Sequence, residues 1–204
     1  MNKKILWRAV ALTATIAFAG SLVSFHARSA GVRGEVLRLH VIANSDCDVD
    51  QQAKLHVRDA LLAQGDALFY ASGDIAQAEQ AVALRTAELE HTAQQALREL
   101  GLHQSVRVSV GTAFFNTRSY GALTFPAGRY QAVQVHIGDS VGENWWCVMF
   151  PPLCLPAATT RESVTLDAVL SDGEMRVVES NPQFDVRFRI VELVQELLER
   201  LRGE

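Results

Sequence analysis

Tyr130-Gln131-Ala132-Val133-Gln134-Val135-His136-Ile137 decides the fold, because a run this rich in β-branched and aromatic residues predicts a strand. The run ends at Gly138-Asp139-Ser140, a cluster of turn residues. A second strand is predicted at Leu37-Arg38-Leu39-His40-Val41-Ile42-Ala43, in which the two leucines and the first valine share one face. Two strands of this kind predict a sheet at the centre of the chain.

Further strands are expected on either side of the central run. Val106, Val108 and Val110 alternate with polar residues and predict a half-buried strand, which residues 114–121 continue irregularly. Trp145–Phe150 predicts another strand, and the prolines that follow it end that strand.

Helices are predicted between and after these strands. The first spans about Val49–Leu62, and a longer one is capped by Asp74 and closed by Gly101. A C-terminal helix is predicted over residues 182–202, although alternating apolar residues leave a strand open for its first turns. The sum is an α+β fold: a single domain with a mostly antiparallel sheet packed by helices.

The N-terminus has the layout of an export signal. Lys3 and Lys4 form a basic start, and Ala9–Phe25 contains no charged residue. Residues 1–30 are therefore predicted to be a signal peptide or an uncleaved signal anchor that crosses the bilayer with Ile5–Phe25. A buried helix of a cytosolic protein is the remaining alternative. Either membrane interpretation places residues 31–204 outside the cytoplasm.

The charge of the chain is unevenly distributed and excludes one class of function. The whole chain of 204 residues has a net charge of −4, whereas residues 31–204 carry 15 basic and 23 acidic side chains. Such an acidic domain is a poor binder of nucleic acid, whose affinity depends on neutralised phosphates. Within it, residues 156–180 are polar and acidic with weak periodicity, and we expect a loop there.

Three cysteines leave two interpretations open. Cys147 and Cys154 bracket a Pro-Pro turn that favours a disulfide between them, with Cys47 free. The alternative is that all three are small buried apolar residues. A zinc site is not expected, because no second Cys/His cluster stands at ligand spacing.

Enzymatic chemistry has no well-formed motif in this sequence. Cys147 with His40 or His136 would make a thiol nucleophile and its base, but the cysteine stands in a run of large apolar residues that lowers thiol reactivity. The sequence has no Gly-rich phosphate loop and no zinc-protease helix. We expect no catalytic residue, no metal and no cofactor.

The segment 142–154 is the most informative part of the sequence. Adjacent tryptophans on a strand point to opposite faces, so that one can be core and the other presented outward. A large aromatic beside a rigid Pro-Pro turn has the composition of a binding hot spot, and two buried tryptophans are the alternative. The candidate partner-binding residues are Asn144, Trp145, Trp146, Phe150, Pro151 and Pro152, together with the turn Asn44, Ser45 and Asp46.

At these residues the sequence resembles the stage II sporulation protein R family of endospore-forming bacteria. The matching stretches are 37–46, 50–59, 126–130 and Asn144-Trp145-Trp146-Cys147-Val148-Met149-Phe150-Pro151-Pro152-Leu153-Cys154. Together they cover roughly residues 35–155, and the last motif is long and unusual enough to be specific.

The resemblance implies a signalling role. Proteins of this family are made in the forespore and exported into the space between the two septal membranes. There they trigger a membrane-embedded aspartic protease of the mother cell, which processes pro-sigma-E. The partner implied is that protease, with membrane contact through the N-terminal segment if it is uncleaved. An extracytoplasmic thiol hydrolase using Cys147 is the alternative function.

Overall fold

A computed structural model describes residues 3–64, 72–151, 153, 165–181 and 185–202. The chain divides into two compact units. Unit 1 comprises Met1–Val32, Phe115–Gly128 and Ser171–Glu204, and unit 2 comprises Arg33–Phe114 and Arg129–Leu170.

The described chain alternates between helices and strands in the following order. The elements are α1 (Lys3–Gly34), β1 (Leu37–Ile42), α2 (Asp48–Leu62), α3 (Ile75–Ala83), α4 (Thr86–Glu99), β2 (Val106–Phe115), β3 (Arg118–Tyr120), β4 (Leu123–Phe125), β5 (Gly128–Ile137), β6 (Asn144–Phe150), α5 (Leu166–Val169), α6 (Asp172–Val178) and α7 (Val186–Arg202).

Unit 2 is built on a four-stranded sheet with the order β2-β5-β1-β6. β1 runs parallel to β5 and antiparallel to β6, so the sheet is mixed. A parallel pair needs a long connection, and the described part of the chain between β1 and β5 contains three helices and three strands. The α+β class, with an apolar helix at the N-terminus, is confirmed.

The core of unit 2 lies between one face of the sheet and the helices α2 and α4. Leu37, Leu39 and Val41 of β1 are fully buried on that face, as their alternation predicts. Helix α2 contributes Ala53 and Val57 at helical spacing, and it packs directly against α4. The opposite face of β1 is also covered, because Arg38 is fully buried there.

The predicted helix from Asp74 to Gly101 is two helices. Asp74 caps α3 by accepting a hydrogen bond from the Gln77 backbone N–H, as expected. The helix then ends at Ala83, where the Arg85 N–H donates to the Val82 carbonyl in a tight 3₁₀-type turn. The prediction of one continuous helix was wrong because this tightened turn leaves no local sign in the form of glycine or proline.

The predicted loop over residues 156–180 contains two short helices in its described part. Residues 156–164 lie outside the described residues, whereas α5 and α6 occupy most of 165–180. Ser171 and Glu174 form a reciprocal capping box that starts α6. Val177 and Val178 are buried. The loop prediction was wrong there, since a helix of this length gives too few turns for a visible period.

The C-terminal helix begins four residues later than predicted. Residues 182–184 lie outside the described residues, and α7 starts at Val186. The Arg187 N–H donates to the Asp185 side chain, so Asp185 caps this end in place of Asn181-Pro182. Val186, Phe188 and Ile190 are helical, which removes the strand alternative for these turns.

Unit 1 gathers the end of α1, the β3–β4 hairpin, α6 and α7. Phe25 of α1 is buried in an apolar cluster with Val177, Phe188 and Val191, and its ring meets the Phe188 ring edge-to-face at 5.0 Å. Gly31 allows α1 to approach α6 closely, since a Cβ there would overlap the Glu174 side chain. The last three turns of α1 are therefore part of a packed core.

The rest of α1 is exposed. Its large apolar side chains, among them Ile5, Trp7 and Ile16, are not covered by the rest of the described chain. The helix is long and apolar enough to cross a bilayer, which is compatible with a signal or anchor segment. A helix buried in the core of a cytosolic protein does not fit this exposure.

Candidate functional site

The pairing of β1 with β6 brings the two predicted parts of the site together. Ile42, at the end of β1, pairs with Asn144, at the start of β6. The turn that follows β1 therefore lies beside the first residues of β6. We call Asn44, Ser45, Asp46 and Asp50 the turn cluster, and Trp145 with Trp146 the tryptophan pair.

Asp50 is the centre of the turn cluster. Its carboxylate accepts hydrogen bonds from Asn44 Nδ2 at 2.7 Å, Ser45 Oγ at 2.6 Å and Gln104 Nε2 at 3.1 Å. The hydrogen bonds from Ser45 and Asn44 hold the pKa of Asp50 below its ordinary value. Only 6% of Asp50 is exposed, so these donors compensate for the loss of water around a charged group.

The turn cluster also holds the loop that leads from β5 into β6. Asn44 Oδ1 accepts from the Asp139 N–H at 2.9 Å, and Asp46 Oδ1 accepts from the Glu143 N–H at 2.6 Å. Gly138 has φ +55°, and a Cβ there would overlap the Asn44 side chain. The side chains of Asn44 and Asp46 therefore stabilise the fold by bonding this loop, and they lie next to the surface that carries the tryptophan pair.

The tryptophan pair lies on opposite faces of the sheet, as adjacent strand residues must. Trp145 pairs with Val41 and packs against the core of unit 2, with the Arg58 guanidinium 4.7 Å from its ring centre. Trp146 pairs with His40 on the other face, with ring centres 5.9 Å apart. Both indoles are half-buried, so neither of the two expectations, one outward or both buried, describes them fully.

His40 lies beside Trp146 and is hydrogen-bonded to the first residue of β6. Its Nε2 hydrogen-bonds Asn144 Oδ1 at 2.7 Å. Burial lowers the pKa of His40 below its ordinary value, and it outweighs this hydrogen bond. Burial therefore favours the neutral form of His40 on the face that carries Trp146, which suits contact with an apolar or aromatic partner.

Two buried cations were not predicted from the sequence. Lys54 Nζ donates to the Glu143 carbonyl at 3.0 Å, and burial lowers its pKa. Arg38 Nε donates to the Cys147 carbonyl at 3.0 Å, and the guanidinium stands 4.9 Å from the Tyr130 ring centre. Both cations tie β6 to its neighbours and so position the strand that carries the tryptophan pair.

The far end of β6 does not form an exposed surface. Phe150 is fully buried in the core and Pro151 is buried beside it, so their assignment as partner-contacting residues was wrong. An apolar ring at the end of a strand packs inward when both sheet faces are covered. Pro152 lies outside the described residues.

The cysteines bear on the alternative function. Cys147 is disulfide-bonded and fully buried, while Cys47 is exposed and free. Cys154, the expected partner, lies outside the described residues, so that pairing stays a prediction. A disulfide sulfur is not a nucleophilic thiolate, and the thiol hydrolase built on Cys147 loses its nucleophile.

The arrangement is suited to binding. Among the residues that the structure describes, no three His, Cys, Asp or Glu side chains are grouped so that they could hold a metal ion. Strand β6 presents one half-exposed indole on each face of the sheet. Lys54 and Arg38 hold this strand to its neighbours through hydrogen bonds to its backbone and to the residue before it. Half-buried aromatic side chains held rigidly are typical of protein-binding hot spots.

These features define a class: an α+β domain with an apolar N-terminal helix and an aromatic candidate binding surface. The chain belongs to the stage II sporulation protein R family, whose match covers residues 33–160, and it is a sporulation protein of that type. It is 31% identical over 182 residues to "Stage II sporulation protein R" of Bacillus subtilis (strain 168), across 80% of this chain and 81% of the relative. No solved structure matches the chain.

Proposed function

We propose that this protein is an exported signal of endospore formation that activates the membrane-embedded aspartic protease processing pro-sigma-E in the mother cell. The observation that carries the proposal is the family match over residues 33–160, which spans the turn cluster and the tryptophan pair. The source is the forespore, and the site of action is the space between the two septal membranes. The apolar N-terminal helix supports export or membrane attachment.

Activation of this kind is differential binding. A ligand changes a two-state protease only as far as it binds the active state more tightly, and a change from mostly inactive to mostly active needs about a 10⁴-fold preference. The tryptophan pair supports such a preference, because indoles bury a large area at low entropic cost. The turn cluster and His40 keep that surface in one conformation.

Alanine in place of Trp145 or Trp146 is expected to lower pro-sigma-E cleavage at least tenfold. Removal of a central aromatic costs a protein interface about 2 kcal/mol or more. The measurement is cleavage of pro-sigma-E in a host that does not sporulate, co-expressing this protein, the candidate protease and the substrate.

The matched control is Trp7→Ala, which removes an exposed tryptophan near the start of α1. Near-ultraviolet circular dichroism of each purified variant checks that the domain is folded. Two folded variants that support wild-type cleavage would remove the tryptophan pair from the binding surface. Absence of cleavage with the wild-type protein would refute the proposed function itself.

We also expect residues 1–30 to stay attached as an anchor. Cleavage there would remove Phe25, which is buried against Val177, Phe188 and Val191, and loss of a buried Phe costs about 3–5 kcal/mol. Intact-mass measurement of the exported protein is expected to give the full 22.4 kDa in the membrane fraction. A shorter species released into the soluble extracytoplasmic fraction would show that the segment is a cleaved signal peptide.

A further inference from the structure

Unit 1 contains a cavity of about 370 Å³ whose wall is rich in arginine. Arg28 of α1, Arg176 of α6 and Arg187 of α7 line it together with Phe25, Val177 and Ser180. Three arginines, a phenylalanine and a valine thus share the wall of one cavity. We call this site the arginine pocket.

The positive charge of the arginine pocket is only partly neutralised. Arg187 forms a 2.6 Å ion pair with Asp185, which lowers the pKa of that carboxyl, and its guanidinium stands 4.9 Å from the Phe25 ring centre. Arg28 and Arg176 have no carboxylate partner among the residues that the structure describes. Two unpaired cations thus face one cavity in a chain whose net charge is −4.

The arginine side chains are the hydrogen-bond donors that remain for a ligand in the cavity. The Ser180 hydroxyl donates to the Arg176 carbonyl oxygen, so its proton is already used. Arg187 also donates to Ser21 Oγ at 3.2 Å, which holds it in place beside α1. Guanidinium groups bind the oxygen atoms of a phosphate group, so a cavity lined by three arginines suits such an anion.

The location of the arginine pocket along α1 indicates where such a phosphate comes from. The apolar stretch Ile5–Phe25 has 21 residues, about 31 Å of helix, which equals the hydrocarbon core of a bilayer. Arg28 follows one turn later. If α1 spans the membrane with Lys3 and Lys4 inside, Arg28 stands at the depth of the outer-leaflet headgroups.

We propose that the arginine pocket binds the phosphate of an anionic phospholipid headgroup. Arg28 and Arg176 bind the phosphate oxygens, while Phe25 and Val177 contact the glycerol and the first acyl carbons. The site rests on the proposed membrane attachment of α1 and adds to it a specific lipid contact. Such a contact fixes the tilt and rotation of unit 1 against the membrane, beyond what a single apolar helix determines.

The test titrates the purified full-length protein in dodecyl maltoside with short-chain lipids below their micelle concentration. The probes are dihexanoyl phosphatidylglycerol, dihexanoyl phosphatidylcholine and inorganic phosphate. We expect phosphatidylglycerol to bind at least tenfold more tightly than either of the others. The Arg28→Gln/Arg176→Gln variant is expected to lose at least tenfold in affinity for phosphatidylglycerol.

The matched control is Arg189→Gln/Arg200→Gln, which removes the same charge from exposed positions of α7 and is expected to bind as the wild type does. Thermal unfolding is expected to be unchanged in the pocket variant, because neither arginine has an ion-pair partner to lose. Equal affinity in the two variants would overturn the proposal. Equal binding of inorganic phosphate would reassign the pocket to a free anion. Equal binding of phosphatidylcholine, which has the same phosphodiester and an added positive charge, would overturn the preference for an anionic headgroup.

The lipid titration contains neither the protease nor pro-sigma-E. Its failure would therefore leave the signalling proposal standing, and failure of the cleavage assay would leave the lipid site standing.

Discussion

Asp50→Ala is expected to lower the free energy of unfolding by about 3 kcal/mol, because hydrogen bonds to a charged group contribute about 1.5–3 kcal/mol each. Three donors, from Asn44, Ser45 and Gln104, lose their common acceptor in a site where Asp50 is 6% exposed. With the acceptor gone, the loop between β5 and β6 loses its fixed position. The measurement is urea unfolding of the full chain in detergent, followed by far-ultraviolet circular dichroism.

The control for this change is Asp48→Ala, which removes an exposed acid from the same first turn of α2 and is expected to cost less than about 1 kcal/mol. Unfolding of the wild-type protein at low pH tests the Asp50 carboxylate as well. Because the folded pKa is lowered, its stabilisation is complete above the unfolded value of about 3.9 and is lost as the pH falls through the folded value. Equal midpoints for the two variants would show that the turn cluster stores little energy.

Gly142→Ala is expected to cost about 2–3 kcal/mol of stability through steric overlap alone. A Cβ there would overlap the backbone carbonyl of Ser45 and lie 3.0 Å from the Cβ of the buried Ala43, and neither neighbour is the far end of a flexible side chain. The Gly142 N–H also donates to the Ala43 carbonyl at 3.0 Å, so the loop has no room to retreat without losing that bond. We expect reduced pro-sigma-E cleavage as well, since the loop leads directly into the tryptophan pair.

Gly111→Ala is the matched control for this prediction. A Cβ at Gly111 would meet its nearest neighbour, Gln134 Nε2, at an ordinary 3.6 Å, so alanine is accommodated there. Removing a strand glycine is expected to raise stability by about 0.5 kcal/mol. Paired urea titrations of the two variants should therefore differ in sign. A Gly142→Ala protein as stable as the Gly111→Ala protein would mean that the loop yields freely.

Local patterns sufficed where the stabilising contacts are themselves local. The Asp74 cap of α3 and the alternation of Leu37, Leu39 and Val41 were predictable because each depends on residues a few positions apart. The order β2-β5-β1-β6 was not, since no local pattern states which strands become neighbours. The short helix α6 was missed for a related reason. Its Val177 is buried against Phe25 and Phe188, which are distant in sequence, and the helix is too short to show a helical repeat of apolar residues.

The candidate site was predictable in location but not in the roles of its members. The turn at Asn44 and the aromatic start of β6 were identified, and the register of β1 with β6 joins them. The buried cations were missed because a charged residue in a strand or helix is ordinarily taken as solvent-facing. For Lys54 a signal existed, since it lies between Ala53 and Val57 on the apolar side of α2.

The position of β1 between β5 and β6 has a consequence for the order in which the sheet forms. In the proposed export the chain crosses the membrane from its N-terminal end, so β1 emerges first, yet both strands that flank it come roughly 100 residues later. The edge of β1 that faces β5 stays unpaired until about residue 137 has crossed, and the edge that faces β6 stays unpaired until residue 150 has crossed. The strand that carries the tryptophan pair is then the last to join the sheet, so a partly exported chain lacks the candidate binding surface. In the proposed signalling role, the whole domain must therefore cross before the protein can act.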